Sequence, residues 1–194
     1  MIEKPDTNIL GFLTVLEIES IGFCGGLLVL NSLGRPLEFH CTVPVVPTIA
    51  QQILYGATFK SFVFNEKIAI SLINKSSQQP RNIVTDIPLM LELGNLVDAN
   101  VCFVIADEEK ANDETANDTA TDDEMLQPDS MEMPGRIRQS RLEVGEQSIF
   151  VLEDHADHCE DLLACLIPFA IRLPLTEPFQ RIKNAIEEAQ SVAA

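Results

Sequence analysis

Residues 12–43 constrain the fold more than any other stretch, because they predict three consecutive antiparallel strands. The first strand alternates between two faces, with one row formed by Phe12, Thr14, Leu16 and Ile18 and the other by Leu13, Val15, Glu17 and Glu19. The second contains the unbroken apolar run 27–30, which is typical of a strand covered on both faces. In the third strand we expect Phe39 to point inward and Glu38 outward.

Helices and further strands alternate after this meander. Residues 58–75 carry apolar side chains at helical spacing. Residues 82–86 and 101–106 predict two parallel strands joined by a short crossover helix. Residues 148–152 predict another strand, and two amphipathic helices follow it. We therefore expect an α/β protein with a mixed sheet, in which an N-terminal three-stranded antiparallel meander is followed by a βαβ unit and C-terminal helices.

The order of these elements over roughly residues 10–170 resembles the topology of the ribonuclease H-like fold. The resemblance implies that the first strand lies centrally, with the meander on one side and the parallel strands on the other. It rests on element order alone and includes no shared motif, so it predicts the architecture more directly than the function.

Acidic residues concentrate in one segment of the chain. The formal net charge is −17, and residues 107–132 contribute −10 of it through eleven acids and one lysine, which leaves −7 for the rest. Residues 107–135 are poor in apolar side chains and predict a disordered acidic insertion. The remaining ranges, 1–106 and 136–194, are long enough to form a single α/β domain. The insertion has two interpretations, a solvated loop or a docking segment for a basic protein partner.

Composition excludes several other classes of function. No basic stripe is present to neutralise a phosphate backbone, which disfavours nucleic acid as a partner. No apolar run approaches the roughly eighteen residues needed to cross a bilayer, and no signal peptide is recognisable, so we expect no membrane association. The five unclustered cysteines suit reduced thiols and a cytoplasmic location. No cofactor motif occurs, and nothing in the sequence indicates an oligomeric state.

Four carboxylates form the first candidate site. Asp86 and Asp107 follow the two predicted parallel strands, where ligand sites form in open α/β sheets. The ribonuclease H-like topology implies that Glu17 approaches Asp86 and that Asp154 or Asp157 completes a divalent-metal site. The sequence departs from that family in offering Glu17 where the first strand typically carries Asp. Asp86 serves equally well as the N-cap of the following helix.

Imidazole and thiol groups form the second candidate site. His155, His158 and Cys159 have the spacing i, i+3, i+4, which places them on one helix face and offers ligands for zinc. The alternative is a buried Cys159 that faces the core, with the two histidines on a wet first turn. Neither a CxxC nor an HExxH motif supports the metal.

The leading functional prediction is a non-catalytic cytoplasmic protein that acts through protein–protein contacts, because no catalytic constellation outweighs its structural alternative. The second prediction is a divalent-metal-dependent hydrolase or nuclease of ribonuclease H-like fold, with Glu17, Asp86 and Asp107 as metal ligands.

Overall fold

The computed structural model describes residues 9–19, 21–105, 139–145 and 147–193. The described strands form one sheet with the order β3-β2-β1-β4-β5-β7-β6. Their bounds are Leu10–Ile18 (β1), Gly22–Leu30 (β2), Pro36–Cys41 (β3), Asn82–Thr85 (β4), Asn100–Val104 (β5), Gln139–Val144 (β6) and Gln147–Leu152 (β7). The predicted acidic insertion, residues 107–135, lies outside the described residues.

The sheet is mixed in the way that the element order predicts. β1 pairs antiparallel with β2 and β2 with β3, whereas β1, β4 and β5 run parallel to one another. β7 pairs antiparallel with both β5 and β6. The first strand is therefore central, with the meander on one side and the parallel strands on the other, which confirms the predicted α/β architecture. β6 was not predicted, because four of its six residues are polar.

Helices cover both faces of the sheet. The first is α1 (Ile49–Tyr55), which a short 3₁₀ turn, Gly56–Thr58, connects to a continuous helix, here called α2, made of Phe59–Ser61, the π-helical turns Phe62–Ala69, and Ile70–Lys75. The predicted crossover helix is a 3₁₀ helix, Pro88–Asn95. A second 3₁₀ helix, Glu153–His158, leads into α3 (Cys159–Ala170), and α4 (Glu177–Ala193) follows.

Two hydrophobic layers hold these helices on the sheet. On one face Phe12 of β1 packs against Phe169 of α3 and Phe179 of α4, with ring centroids 5.3 and 5.7 Å apart. On the other face Phe23 of β2 packs edge-on against Phe64 of α2 at 5.3 Å. Side chains of alternate parity in β1 and β2 enter opposite layers, as the period of a strand requires.

The predicted contrast between a buried Phe39 and an outward Glu38 in β3 is not found. Phe39 is 37% exposed, whereas the neighbouring Glu38 points to the end of α2 and accepts hydrogen bonds from Ser76 and Ser77. β3 is the edge strand of the sheet, where neither face is fully covered and apolar alternation does not report which side is buried.

Two predictions from composition concern membrane-spanning helices and the state of the cysteine thiols. None of the helices formed by the described residues is long and apolar enough to span a bilayer. All five cysteines are free thiols, four of them buried and Cys41 exposed.

Candidate functional site

A groove opens where the carboxyl ends of β1 and β4 meet α4. It encloses about 790 Å³. Its lining comes from three parts of the chain: residues 14–19, the pair Asp86–Ile87, and Lys183, Glu187 and Gln190 on α4. Open α/β sheets bind ligands at this edge, because the loops that follow parallel strands diverge there and leave a crevice.

Asp86 is the carboxylate at the centre of this groove. It follows β4 directly, and its Oδ2 lies 3.1 Å from Nζ of Lys183. Its Oδ1 is buried and has no hydrogen-bond partner among the described residues. The side chain of Asp86 is 14% exposed and that of Lys183 is 38% exposed. The groove thus holds a carboxylate and an ammonium side by side, with one carboxylate oxygen left unpaired.

The helix α4 positions the lysine. Ile182 and Ile186 are buried against the sheet, and Lys183 follows the first of them. Arg181 strengthens the start of the helix, since its Nε lies 2.8 Å from Oε1 of Glu177 and its Nη1 donates to the carbonyl oxygen of Gly34 at 2.9 Å. The lysine therefore reaches the groove from a helix that packing and ion pairing fix to the sheet.

Glu17 and Asp86 are not brought together. Glu17 belongs to the row of Leu13 and Val15, which packs into the layer under α2, and its Oε2 lies 3.3 Å from Nζ of Lys60. Asp86 instead pairs with α4 on the opposite face. Because successive residues of a strand point to opposite faces, the side chains of Glu17 and Asp86 leave the sheet on different sides, although both residues line the groove.

The other two predicted carboxylates do not complete a cluster in the described chain. Asp154 is exposed and follows β7, which β4 and β5 separate from β1. Asp107 lies outside the described residues. Among the residues that the structure describes, no group of three or more His, Cys, Asp or Glu side chains could hold a metal ion. These residues therefore do not fit a two-metal centre, which needs several converging carboxylates.

The imidazole and thiol candidates are engaged in local packing. Nε2 of His155 lies 3.2 Å from Oδ1 of Asn95, and the buried Cys159 donates from Sγ to the carbonyl oxygen of His155 at 3.3 Å. The side chain of His158 lies outside the described part of the chain. Burial raises the pKa of the nearby Cys102 thiol, and Cys159 raises it further, so Cys102 is protonated at neutral pH.

Lys183, Glu187 and Gln190 are the groove residues that sequence reasoning missed. The signal for them was available in the amphipathic pattern of the last helix, which places a lysine beside a buried isoleucine. What the pattern lacks is the position of that helix relative to the sheet, which depends on contacts distant in sequence.

No protein-family model matches the chain, and no curated protein matches its sequence. Solved structures match its fold. The crystal structure of human ENDOV has a TM-score of 0.58 at 16% identity, covering 96% of this chain and 86% of that chain. Endonuclease V of Ciona intestinalis, in complex with a 23mer DNA containing an inosine followed by a ribo-adenosine, has a TM-score of 0.45 at 14% identity, with 94% and 86% covered. The first likeness shows a shared ribonuclease H-like fold.

These neighbours overturn two of the predictions. The prediction that nucleic acid is an unlikely partner is contradicted by the fold that this chain shares with human ENDOV. The prediction of a protein-interaction protein without enzymatic function is contradicted by the same neighbour, which is an endonuclease. The prediction relied on the lack of a basic stripe and on the net charge of −17, of which residues 107–132 carry −10.

Proposed function

We propose that this protein is a nuclease that acts on nucleic acid in the groove between β1, β4 and α4, with Asp86 as its central carboxylate. The observation that carries the proposal is the place of Asp86, at the end of a central parallel strand in a sheet that shares its fold with human ENDOV over 96% of this chain. This is the edge of the sheet where open α/β proteins bind their ligands.

The chemistry of the groove supports contact with a phosphodiester. The ammonium of Lys183 can neutralise a phosphate oxygen, and charge stabilisation of this kind is a large term in phosphoryl transfer. The unpaired Oδ1 of Asp86 can accept a proton from water. Nuclease chemistry of this class ordinarily uses divalent cations, which polarise the phosphate and activate water. The described residues do not supply a metal site by themselves, so no step is assigned to a metal here.

Cleavage assays with matched variants test the proposal. Labelled single- and double-stranded DNA and RNA, with and without an inosine, would be incubated with Mg²⁺, with Mn²⁺ or with a chelator. We expect cleavage by the wild-type protein and a loss of about 100-fold or more for Asp86→Asn. The control is Glu143→Gln, which removes an exposed carboxylate from β6 at the far edge of the sheet and should leave cleavage unchanged.

Two outcomes contradict the nuclease proposal. One is an Asp86→Asn protein that folds and cleaves as well as the wild type. The other is a wild-type protein that cleaves none of these substrates with either cation.

The lack of a metal-holding group of side chains among the described residues favours a second candidate, a protein that binds nucleic acid in the same groove without cutting it. Fluorescence anisotropy on the same oligonucleotides distinguishes the two. Binding without cleavage, weakened by Lys183→Gln and by salt, would support this candidate. Binding that is indifferent to Lys183→Gln would place the nucleic acid elsewhere and contradict it.

We also propose a cytoplasmic location. Five free thiols persist in a reducing compartment and would tend to oxidise outside it. Fractionation of the cells that make the protein tests this, and recovery from an oxidising compartment would contradict it.

A further inference from the structure

A stretch of chain without a single charged side chain lies on the surface beyond β3. Residues 41–59, here called the uncharged segment, contain no Asp, Glu, Lys, Arg or His. Its apolar side chains are among the most exposed of the described residues. They are Val43 at 81%, Val46 at 71%, Ile49 at 75%, Ile53 at 74% and Leu54 at 83%. Contiguous apolar surface of this kind marks an interaction site in a soluble protein.

The helix inside the uncharged segment depends on little within the chain. α1 has seven residues and buries none of them. Its start is closed by a capping box, in which Thr48 and Gln51 exchange hydrogen bonds, and its end is held where Tyr55 stacks on Phe62 of α2 with ring centroids 4.0 Å apart. Isolated helices shorter than about 12–15 residues are marginal in water. In a helix this short, with its isoleucines and leucine exposed, contact with another apolar surface would add the stabilisation that the chain itself does not provide.

The charge of the chain indicates that a second copy of the chain can bind to the uncharged segment. The chain carries a net charge of −17, so two copies that meet through most of their surfaces bring like charges together. A two-fold contact pairs the same patch from each copy, and it requires a surface that complements itself. The uncharged segment meets that requirement, since apolar side chains pack against apolar side chains with no repulsion between them.

The neighbouring strand β3 is also self-complementary. Among the described strands β3 is the last on its side of the sheet, and none of them pairs with its outer edge. The uncharged segment begins at the final residue of β3, Cys41. An antiparallel edge can pair with its own copy across a two-fold axis, because the hydrogen-bonding pattern is symmetric. The open edge and the apolar surface are therefore continuous along the chain, and both are self-complementary.

A membrane surface fits the segment less well. Helices that lie in a bilayer interface carry Lys or Arg on their polar face, which attract anionic lipid. The polar side chains of α1 are Gln51 and Gln52, and the chain around them is acidic overall. A partner recognised through charge has nothing to match in residues 41–59.

We propose that two copies of this chain form a two-fold dimer through the uncharged segment. The proposal is independent of the nuclease proposal, since it rests on none of the groove residues. Analytical ultracentrifugation of the full chain, from low micromolar concentrations to about 100 µM, measures it directly because dimers dissociate on dilution. We expect a concentration-dependent dimer for the wild-type protein.

Two variants make the test specific. Ile53→Asp combined with Leu54→Asp should raise the dissociation constant by about 100-fold or more, since each buries a charge at the contact. The matched control is Ile171→Asp, at an apolar residue that is 80% exposed just after α3 and outside the segment, and it should leave the dimer intact. Circular dichroism establishes that all three proteins are folded.

Three results overturn the dimer. The first is a monomeric wild-type protein over the whole concentration range. The second is a folded double variant that dimerises as tightly as the wild type. The third is a wild-type monomer that sediments with vesicles of neutral and anionic phospholipid, which would assign the segment to a lipid surface.

Discussion

Replacing Glu38 by glutamine should destabilise the protein although the residue lies on an edge strand. The carboxylate accepts hydrogen bonds from Oγ of Ser76 at 2.7 Å, from the backbone N–H and hydroxyl of Ser77 at 3.1 Å each, and from the backbone N–H of Gln78 at 3.2 Å. Nε2 of His40 lies 2.8 Å from its Oε1. One charged side chain thus connects β3 to the loop that ends α2.

The pKa of Glu38 gives the size of the effect. Burial on its own would raise the pKa, but hydrogen bonds from Ser76, Ser77, His40 and Gln78 outweigh it and lower the pKa from 4.5 to about 2. At about 1.4 kcal/mol per pH unit, this difference sets an upper limit of about 3 kcal/mol on the stabilisation. Because the side chain is 16% exposed and partly screened by solvent, we expect about 1–2 kcal/mol at neutral pH.

The pH dependence follows from the direction of the shift. A carboxyl with a lower pKa in the folded state stabilises the protein fully above its unfolded pKa of 4.5, and this contribution is lost as the pH falls toward 2. Urea unfolding of the wild type and of Glu38→Gln should therefore differ at neutral pH and converge as the pH falls through this range.

A matched control separates this contact from charge removal in general. Glu17 is 62% exposed, and within the described part of the chain its carboxylate forms an ion pair with Lys60 alone. Glu17→Gln should therefore change the unfolding free energy by no more than about 0.5 kcal/mol. Equal midpoints for Glu38→Gln and the wild type at neutral pH would refute the argument. So would a difference between them that does not change with pH.

Three further predictions concern packing and chain organisation. Phe12→Ala should cost about 3–5 kcal/mol in denaturant unfolding, because the ring is fully buried, whereas Phe39→Ala should cost clearly less; equal costs would contradict the orientation of β3. Gly25→Ala should cost about 1–3 kcal/mol, because its methyl group would collide with Ile68, and combining it with Ile68→Ala should cost less than the sum of the two; strict additivity would contradict this contact. The composition of residues 107–135 still predicts that limited proteolysis cuts there first and leaves two fragments that stay associated; resistance of that segment to protease would contradict the prediction.

The meander and the parallel strands could be predicted because their signals are local. An unbroken apolar run such as 27–30 belongs in the middle of a sheet whatever surrounds it. The orientation of β3 could not be predicted in that way. The N–H groups of Ser77 and Gln78 that attract Glu38 follow it by about forty residues, and no pattern within the strand reveals them.

In the candidate site, too, local features could be predicted from the sequence, whereas features that depend on distant contacts could not. Alternation in β1 separates Glu17 from the row of Phe12, as in the structure, and Asp86 follows β4 and lines the groove. That Glu17 and Asp86 face different layers depends on the register between β1 and β4. That Lys183 meets Asp86 depends on where α4 lies against the sheet, which distant contacts determine.

The glycine pair in β2 has a mechanical consequence for the groove. Gly25 lies against Ile68 of α2, and its neighbour Gly26 lies against Ile182 of α4 on the other face. At this point only the thickness of one peptide backbone separates the two helical layers. Lys183 is the next residue after Ile182, so the depth at which α4 seats on Gly26 sets the distance between its ammonium and Asp86. A change in the packing between α2 and β2 therefore shifts Gly26 and the helix α4 that lies on it. The distance between Lys183 and Asp86 reports that change from the opposite face of the sheet.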